Sequence, residues 1–164
     1  MLDKQFREAM GRFAGAVNAI TTFEDEQPVG LIATAVCSLS AEPPSVIVCV
    51  NKTASAHNAM LNHGYFGLSL LSPAQARVVS RFTEHKGSDR FAPEDWDLQN
   101  GKAPVLQDAP VGMVCKIANC FDGFSHTIFV GVIESISLCD AERNHCLLWK
   151  GRGLHQAVEY VAAH

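Results

Sequence analysis

The chain has 164 residues, 48% hydrophobic and 18% charged, a balance that excludes wholesale disorder and lets a single domain over 1–164 bury a core without metal or disulfide staples. The net charge is −4 and the 13 Lys and Arg are scattered without a basic run, which argues against nucleic acid as a partner. No apolar run approaches the roughly 20 residues of a bilayer span. The start, MLDKQFRE, lacks the basic-then-apolar order of a signal peptide, so the expected location is the cytoplasm and the cysteines are expected to be reduced.

Taken in order, Phe6, Met10 and Phe13 with Ala9 and Ala14 keep helical spacing and predict a short amphipathic helix ending at Gly15. Val17 to Phe23 is strand-like, and the polar run Glu24 to Pro28 predicts a hairpin into the next strand. That strand opens the stretch from Gly30 to Asn58. Its segment Ala33-Thr34-Ala35-Val36-Cys37-Ser38 is extended in character but carries little bulk. Side chains this small either let another backbone approach closely or leave room for a flat ligand. Pro43-Pro44 removes two donors in succession and forces a break. Ser45 to Val50 is apolar on both faces and reads as an interior strand. Asn51-Lys52-Thr53-Ala54-Ser55 then opens a helix to about Asn62, bringing hydroxyls, free N–H groups and one ammonium together at a helix start. Those are the parts of an anion site, although Thr53 or Ser55 also suits a plain N-cap.

Tyr65 to Leu71 predicts another strand, and Ser72-Pro73-Ala74-Gln75 has the capping pattern of a helix running to about Phe82. Thr83 to Pro110 reads as a long connection of the kind that often covers a site. It carries Arg90, Phe91 and Trp96, and Trp96 is expected to pin it to the core. Val111 to Ala118 alternates as a strand, Asp122 to Ser125 forms a turn, and His126 to Leu138 is the longest strand, interrupted by Gly131 at a bulge or close approach. A turn over Asp140 to Asn144 and a last strand, Cys146 to Trp149, follow. Cys37, Cys49 and Cys115 sit in strand patterns as small core residues. Seven strands and three short helices predict a mainly β fold, a closed antiparallel barrel with helical decorations.

The chain has no Gly-x-Gly-x-x-Gly after a strand, no phosphate-binding Gly-x-x-x-x-Gly-Lys loop, no Gly-x-Ser-x-Gly elbow and no metal-ligand spacing among its seven histidines. No metal is therefore assigned. His126 stands apart from the other histidines because it sits where a glycine-containing turn enters a long strand.

The run Ala-Thr-Ala-Val-Cys-Ser followed by Pro-Pro and an apolar strand resembles the flavin reductase-like, FMN-binding split-barrel family. Within it the chain is similar to the reductase component of two-component flavin monooxygenases, the 4-hydroxyphenylacetate 3-monooxygenase type, and to the related reductase of pyrimidine catabolism. Phe6 to Met10, Ala16-Val17-Asn18, Ile20-Thr21-Thr22, Phe82, Arg90-Phe91, Trp96, Pro104-Val105-Leu106, His126 to Gly131, Leu147-Leu148-Trp149 and His155 fall in family order. The resemblance implies a homodimeric six-stranded barrel that binds FMN or FAD and takes hydride from NADH or NADPH. It places Thr34, Ala35 and Val36 along the flavin ring, continued by Cys37 and Ser38, and Asn51, Lys52, Thr53 and Ser55 at the phosphate. It sets Phe82, Arg90 and Phe91 at the border, and His126 beside the nicotinamide as the catalytic position.

The function so implied is NAD(P)H:flavin oxidoreduction that supplies reduced flavin to a monooxygenase. The alternatives are a reductase that keeps its flavin and passes electrons to a corrinoid, metal complex or heme, and a non-catalytic flavin-binding module. One departure stands out: where the family carries glycine before its Asp-His or Thr-His, this chain has Phe124, and Gly123 is expected to shift the bend by one residue.

Overall fold

The computed structural model describes residues 1–140 and 145–161. In chain order α1 (Leu2–Met10) leads to β1 (Gly15–Ala16), β2 (Asn18–Glu24), β3 (Gln27–Ala33), β4 (Val36–Ala41), β5 (Pro44–Asn51), α2 (Ser55–His63) and β6 (Tyr65–Leu70). A 3-10 turn (Pro73–Gln75) precedes α3 (Ala76–Glu84), and another (Gly87–Arg90) opens the connection that holds β7 (Trp96–Asp97) and β8 (Val105–Leu106). The long strands β9 (Val111–Gly123) and β10 (His126–Leu138) follow, then β11 (Leu147–Lys150) and β12 (Gly153–Gln156).

Seven strands form one antiparallel sheet in the order β3-β2-β6-β9-β10-β5-β4, and β1-β11-β12 form a smaller one. The alternation of direction along the large sheet makes its two edge strands, β3 and β4, run the same way. They are also consecutive in the chain, with only Thr34 and Ala35 between them. One extended run thus pairs with β2 through its first half and with β5 through its second. Counted as one strand, it completes a six-membered ring. The ladder itself does not close, because β3 and β4 make no pairing with each other, so the six-stranded barrel is a split one, as the resemblance implies, bridged by the covalent chain.

Local chemistry accounts for most boundaries. Asp25 and Glu26 both take positive φ, 48° and 64°, the two-residue turn geometry whose twist suits the β2–β3 hairpin. The Ser72 N–H donates to the Gln75 side chain at 3.0 Å and completes the capping pattern. β5 lies between β10 and β4, with Val46, Val48 and Val50 buried and Ile47 and Cys49 half-buried on the other face. The barrel interior is built from Ile20, Val48, Val50, Met60, Phe66, Leu68, Cys115 and Phe129. A Cβ at Gly131 would fall 2.4 Å from the Phe66 ring, so a side chain there is excluded, and the β10 register shifts between Val130 and Gly131.

Several expectations change. α1 ends at Met10 rather than Gly15 and buries none of its residues. The turn expected over Asp122 to Ser125 is shorter, because β9 runs on to Gly123 and leaves only Phe124 and Ser125 between the strands. β12 was not anticipated, although Gly151-Arg152-Gly153 between two short strands is a hairpin signal, and Gly151 and Arg152 take φ of 58° and 68°. Of the three cysteines expected in the core only Cys115 is fully buried, while Cys49 is half-buried and Cys37 is exposed. The turn expected before the last strand falls on 141–144, outside the described residues.

The long connection is fastened down rather than free to act as a lid. Trp96 is buried, with its ring 4.8 Å from Phe91 and 6.0 Å from Phe82. Arg77 on α3 grips Asp95 with two hydrogen bonds of 2.6 Å, a bidentate geometry.

Candidate functional site

The undersized run sits where the ring of strands is split. The Val36 N–H donates to the Thr34 carbonyl at 2.9 Å, a three-residue turn centred on Ala35. The Cys49 N–H donates to the Ala35 carbonyl at 3.0 Å and ties this bend to β5. Thr34 to Val36 therefore form a bend rather than the flat wall that an uninterrupted strand would make. Thr34 and Ala35 are exposed, Val36 is half-buried, and Cys37 and Ser38 continue on the exposed side of β4. Gly15 of β1 approaches the bend so closely that a Cβ on it would lie 2.9 Å from the Thr34 side chain, so the run does let a neighbouring backbone come near at Thr34. A hollow of about 270 Å³ opens beside Thr34, lined by Ile32, Val79 of α3, and Trp149 and Leu154 of the β11–β12 hairpin. Trp149 lies on the expected last strand, whereas Leu154 belongs to β12, the strand that the sequence reading does not contain.

Across β5 from the bend lies the second part. β5 pairs Val48 with Val36 on one side, and Asn51 with His126 on the other. The bend, the end of β5 and His126 therefore meet on three adjacent strands. The Asn51 side-chain oxygen accepts from the Thr53 N–H and hydroxyl, both at 2.9 Å, and shapes the turn into α2. The Lys52 ammonium pairs with Asp122 and holds that carboxyl below its usual range. Asn51, Lys52 and Thr53, expected with Ser55 at the phosphate, are exposed and bonded within and beside the loop.

Ser55 is different. The N-cap of α2 is Ala54, in extended conformation, and no side chain caps the helix. Ser55 is exposed at the first helical position, and while the His57 N–H donates to the Ala54 carbonyl at 3.0 Å, the Ser55 hydroxyl and the amides of Ser55 and Ala56 are left for another acceptor. α2 packs on β2 and β3, and Ala54 shares a core cluster with Ala33 and Val36, which brings the helix start to the split. An uncapped helix start beside an exposed bend fits a flat molecule with an anionic end, and the fit rests on that missing cap.

His126 is half-buried, and its Nδ1 lies 2.9 Å from the Ser125 hydroxyl. No partner to Nε2 is present among the described residues, so that nitrogen is the one available to a ligand. Phe82, Arg90 and Phe91 are elsewhere. Phe82 and Phe91 are buried with Trp96, while Arg90 donates to the carbonyls of His85 and Gly30 and lies over the Phe82 ring. They brace the floor behind Val79 and present no surface to the bend, a correction to their expected place at the border. Their aromatic and arginine chemistry suits a ligand and a packed strap equally, and only the packing separates the two.

Comparison with known proteins extends the geometry. A family model described as flavin reductase-like domain matches residues 10–157. The chain is 36% identical over 135 residues to the FMN reductase (NADH) RutF of Agrobacterium fabrum, covering 81% of this chain and 77% of that one. It is 31% identical over 156 residues to the flavin-dependent monooxygenase reductase subunit HsaB of Mycobacterium tuberculosis, covering 95% and 82%. The solved NADH:FAD oxidoreductase SgcE6 of Streptomyces globisporus, in complex with NAD and FAD fragments, superposes with a TM-score of 0.85 at 28% identity, over 95% of this chain and 93% of that one.

Proposed function

This chain belongs to the flavin reductase-like domain family, and we propose that it is an NAD(P)H:flavin oxidoreductase that reduces FMN or FAD and supplies the reduced flavin to a partner monooxygenase. The observation that carries the reading is the uncapped start of α2 beside the exposed bend at Thr34 and Ala35. Flavin, when bound, supplies the two-electron acceptor for hydride from a reduced nicotinamide. Ser55 and the first amides of α2 bind the phosphate, with the positive end of the helix dipole behind them. Thr34, Ala35 and Val36 bear against the ring, Cys37 and Ser38 extend that surface, and Asn51 with Thr53 holds the loop in shape. His126, steadied by Ser125, turns Nε2 toward the nicotinamide and orients it. No side chain has to gain or lose a proton in the transfer, so alignment of two flat rings is the main contribution of the protein.

The working unit in this reading is a homodimer in the cytoplasm. On the outer face of β10 and β9, Ile128, Val130 and Phe121 are half-buried or exposed beside the polar Asn119 and Lys116, and α1 exposes Phe6 and Met10. A second copy covers such surfaces at low cost. Among the described residues no helix is long and apolar enough to cross a membrane.

Anaerobic titration with NADH and NADPH against FMN and FAD, followed at the flavin absorbance band, tests the reading. Bleaching of the band and an oxidation rate that rises with added free flavin support it. A band that neither nicotinamide bleaches contradicts it, and bleaching without any response to free flavin points instead to a retained flavin serving another acceptor.

A further inference from the structure

Phe124 is placed where a phenylalanine is costly and hides nothing. It occupies the two-residue turn between β9 and β10 with φ of 63°, the left-handed region that disfavours any side chain. Among the described residues the other non-glycine positions with positive φ are Asp25, Glu26, Asp108 and Arg152, all polar, so Phe124 is the one bulky apolar side chain held this way. Its ring is 91% exposed and gains no burial in exchange.

The turn is also clamped. Asp122 accepts from the Lys52 ammonium, the Ser125 carbonyl accepts from the Lys52 N–H at 3.0 Å, and the Ser125 hydroxyl meets His126 at 2.9 Å. A strained residue over-determined by its surroundings at the edge of a site marks a position kept for function. These contacts fasten the turn beside Asn51 and Lys52, on the loop that leads to Ser55.

We propose that Phe124 is a specificity-determining residue that stacks on the adenine of a dinucleotide whose phosphate is held at the α2 start. The inference rests on the flavin-reductase reading above and deepens it. FAD is the source that the placement favours, because the turn adjoins the seat assigned to the flavin phosphate, and the adenine of NAD(P)H is the other source of the same chemistry.

The test compares Phe124→Gly and Phe124→Tyr with the wild-type protein. Dissociation constants are measured for FMN and FAD, and Michaelis constants for NADH and reduced nicotinamide mononucleotide, with melting temperature and light-scattering mass beside them. Phe124→Gly is expected to melt a few degrees higher, since glycine relieves the backbone. Its FAD dissociation constant should rise about tenfold with FMN unchanged, the scale of one base–aromatic stack. Phe124→Tyr should keep FAD affinity. A rise confined to NADH, with its mononucleotide unchanged, supports the stack and assigns it to the nicotinamide dinucleotide. Unchanged constants for all four ligands overturn the proposal, as does an equal loss for FMN and FAD. A Phe124→Gly protein of lower mass with unaltered FAD affinity also overturns it and gives the ring to an interface. Wild-type protein that binds neither flavin removes the reading beneath it, an outcome distinct from wild-type binding that Phe124→Gly leaves unmoved.

Discussion

At the scale of single residues, Ser55 and His126 are separable. Ser55 is the exposed hydroxyl at an uncapped helix start, so Ser55→Ala removes one charge-assisted hydrogen bond. It should weaken FMN binding by about 1–2 kcal/mol in a fluorescence titration, and unchanged affinity would remove Ser55 from the phosphate seat. Among the described residues the His126 ring has one hydrogen-bond partner, Ser125, so His126→Ala should raise the Michaelis constant for NADH more than that for flavin in steady-state assays. Equal changes in both would make it structural.

Cys115 gives a pH signature. Burial among barrel side chains pushes its thiol up to about 12 from the ordinary 9.0. Between those values the unfolded chain releases the proton and the folded chain keeps it, so this contribution is complete below pH 9 and is lost as pH rises toward 12. Urea melts across that window should show stability falling with pH. Cys115→Ala should flatten the slope; an unaltered slope would assign it to other groups.

At the scale of elements, the start of α2 sets stability against binding. Ala54 has the extended backbone of an N-cap but no side chain to fill the role. Ala54→Asp should supply the cap and raise stability by about 1 kcal/mol, while its carboxylate meets the position assigned to the flavin phosphate. A higher melting temperature with FMN affinity at least tenfold weaker is the expected pair of results. Unimpaired FMN binding would place the phosphate elsewhere. The long connection shows the opposite economy: its aromatic cluster and the Arg77–Asp95 pair hold it to α3, so the site gains a rigid wall at Val79 rather than a moving cover. Such elements were legible in the sequence where one local rule governed them. The Ser72–Gln75 cap, the Asp25–Glu26 hairpin region and the Gly131 irregularity each follow from short-range chemistry. The turn within Asp122 to Ser125 was legible too, but the left-handed backbone of Phe124 and the tie of that turn to Lys52, distant in the chain, were not.

At the scale of the whole molecule, the proposed homodimer would cover Ile128, Val130 and Phe121 on β9 and β10, together with α1. Light scattering should give about twice the 17.8 kDa chain mass. Phe121→Asp, on an exposed position of β9, should lower it toward the monomer. A mass of one chain for the wild type would end the dimer reading.

The sequence by itself determined the mainly β character, the antiparallel hairpins, the helix starts and the identity of the undersized run, because alternation, capping and turn chemistry act over a few neighbouring residues. Only the tertiary structure decided that β3 and β4 share one extended run across a split, that Lys52 answers to Asp122, and that Phe82, Arg90 and Phe91 pack together to brace a strap. Those outcomes depend on which distant segments come to lie side by side. A lysine, an arginine or a phenylalanine has the same chemistry whichever neighbour it finds, and folding selects the neighbour.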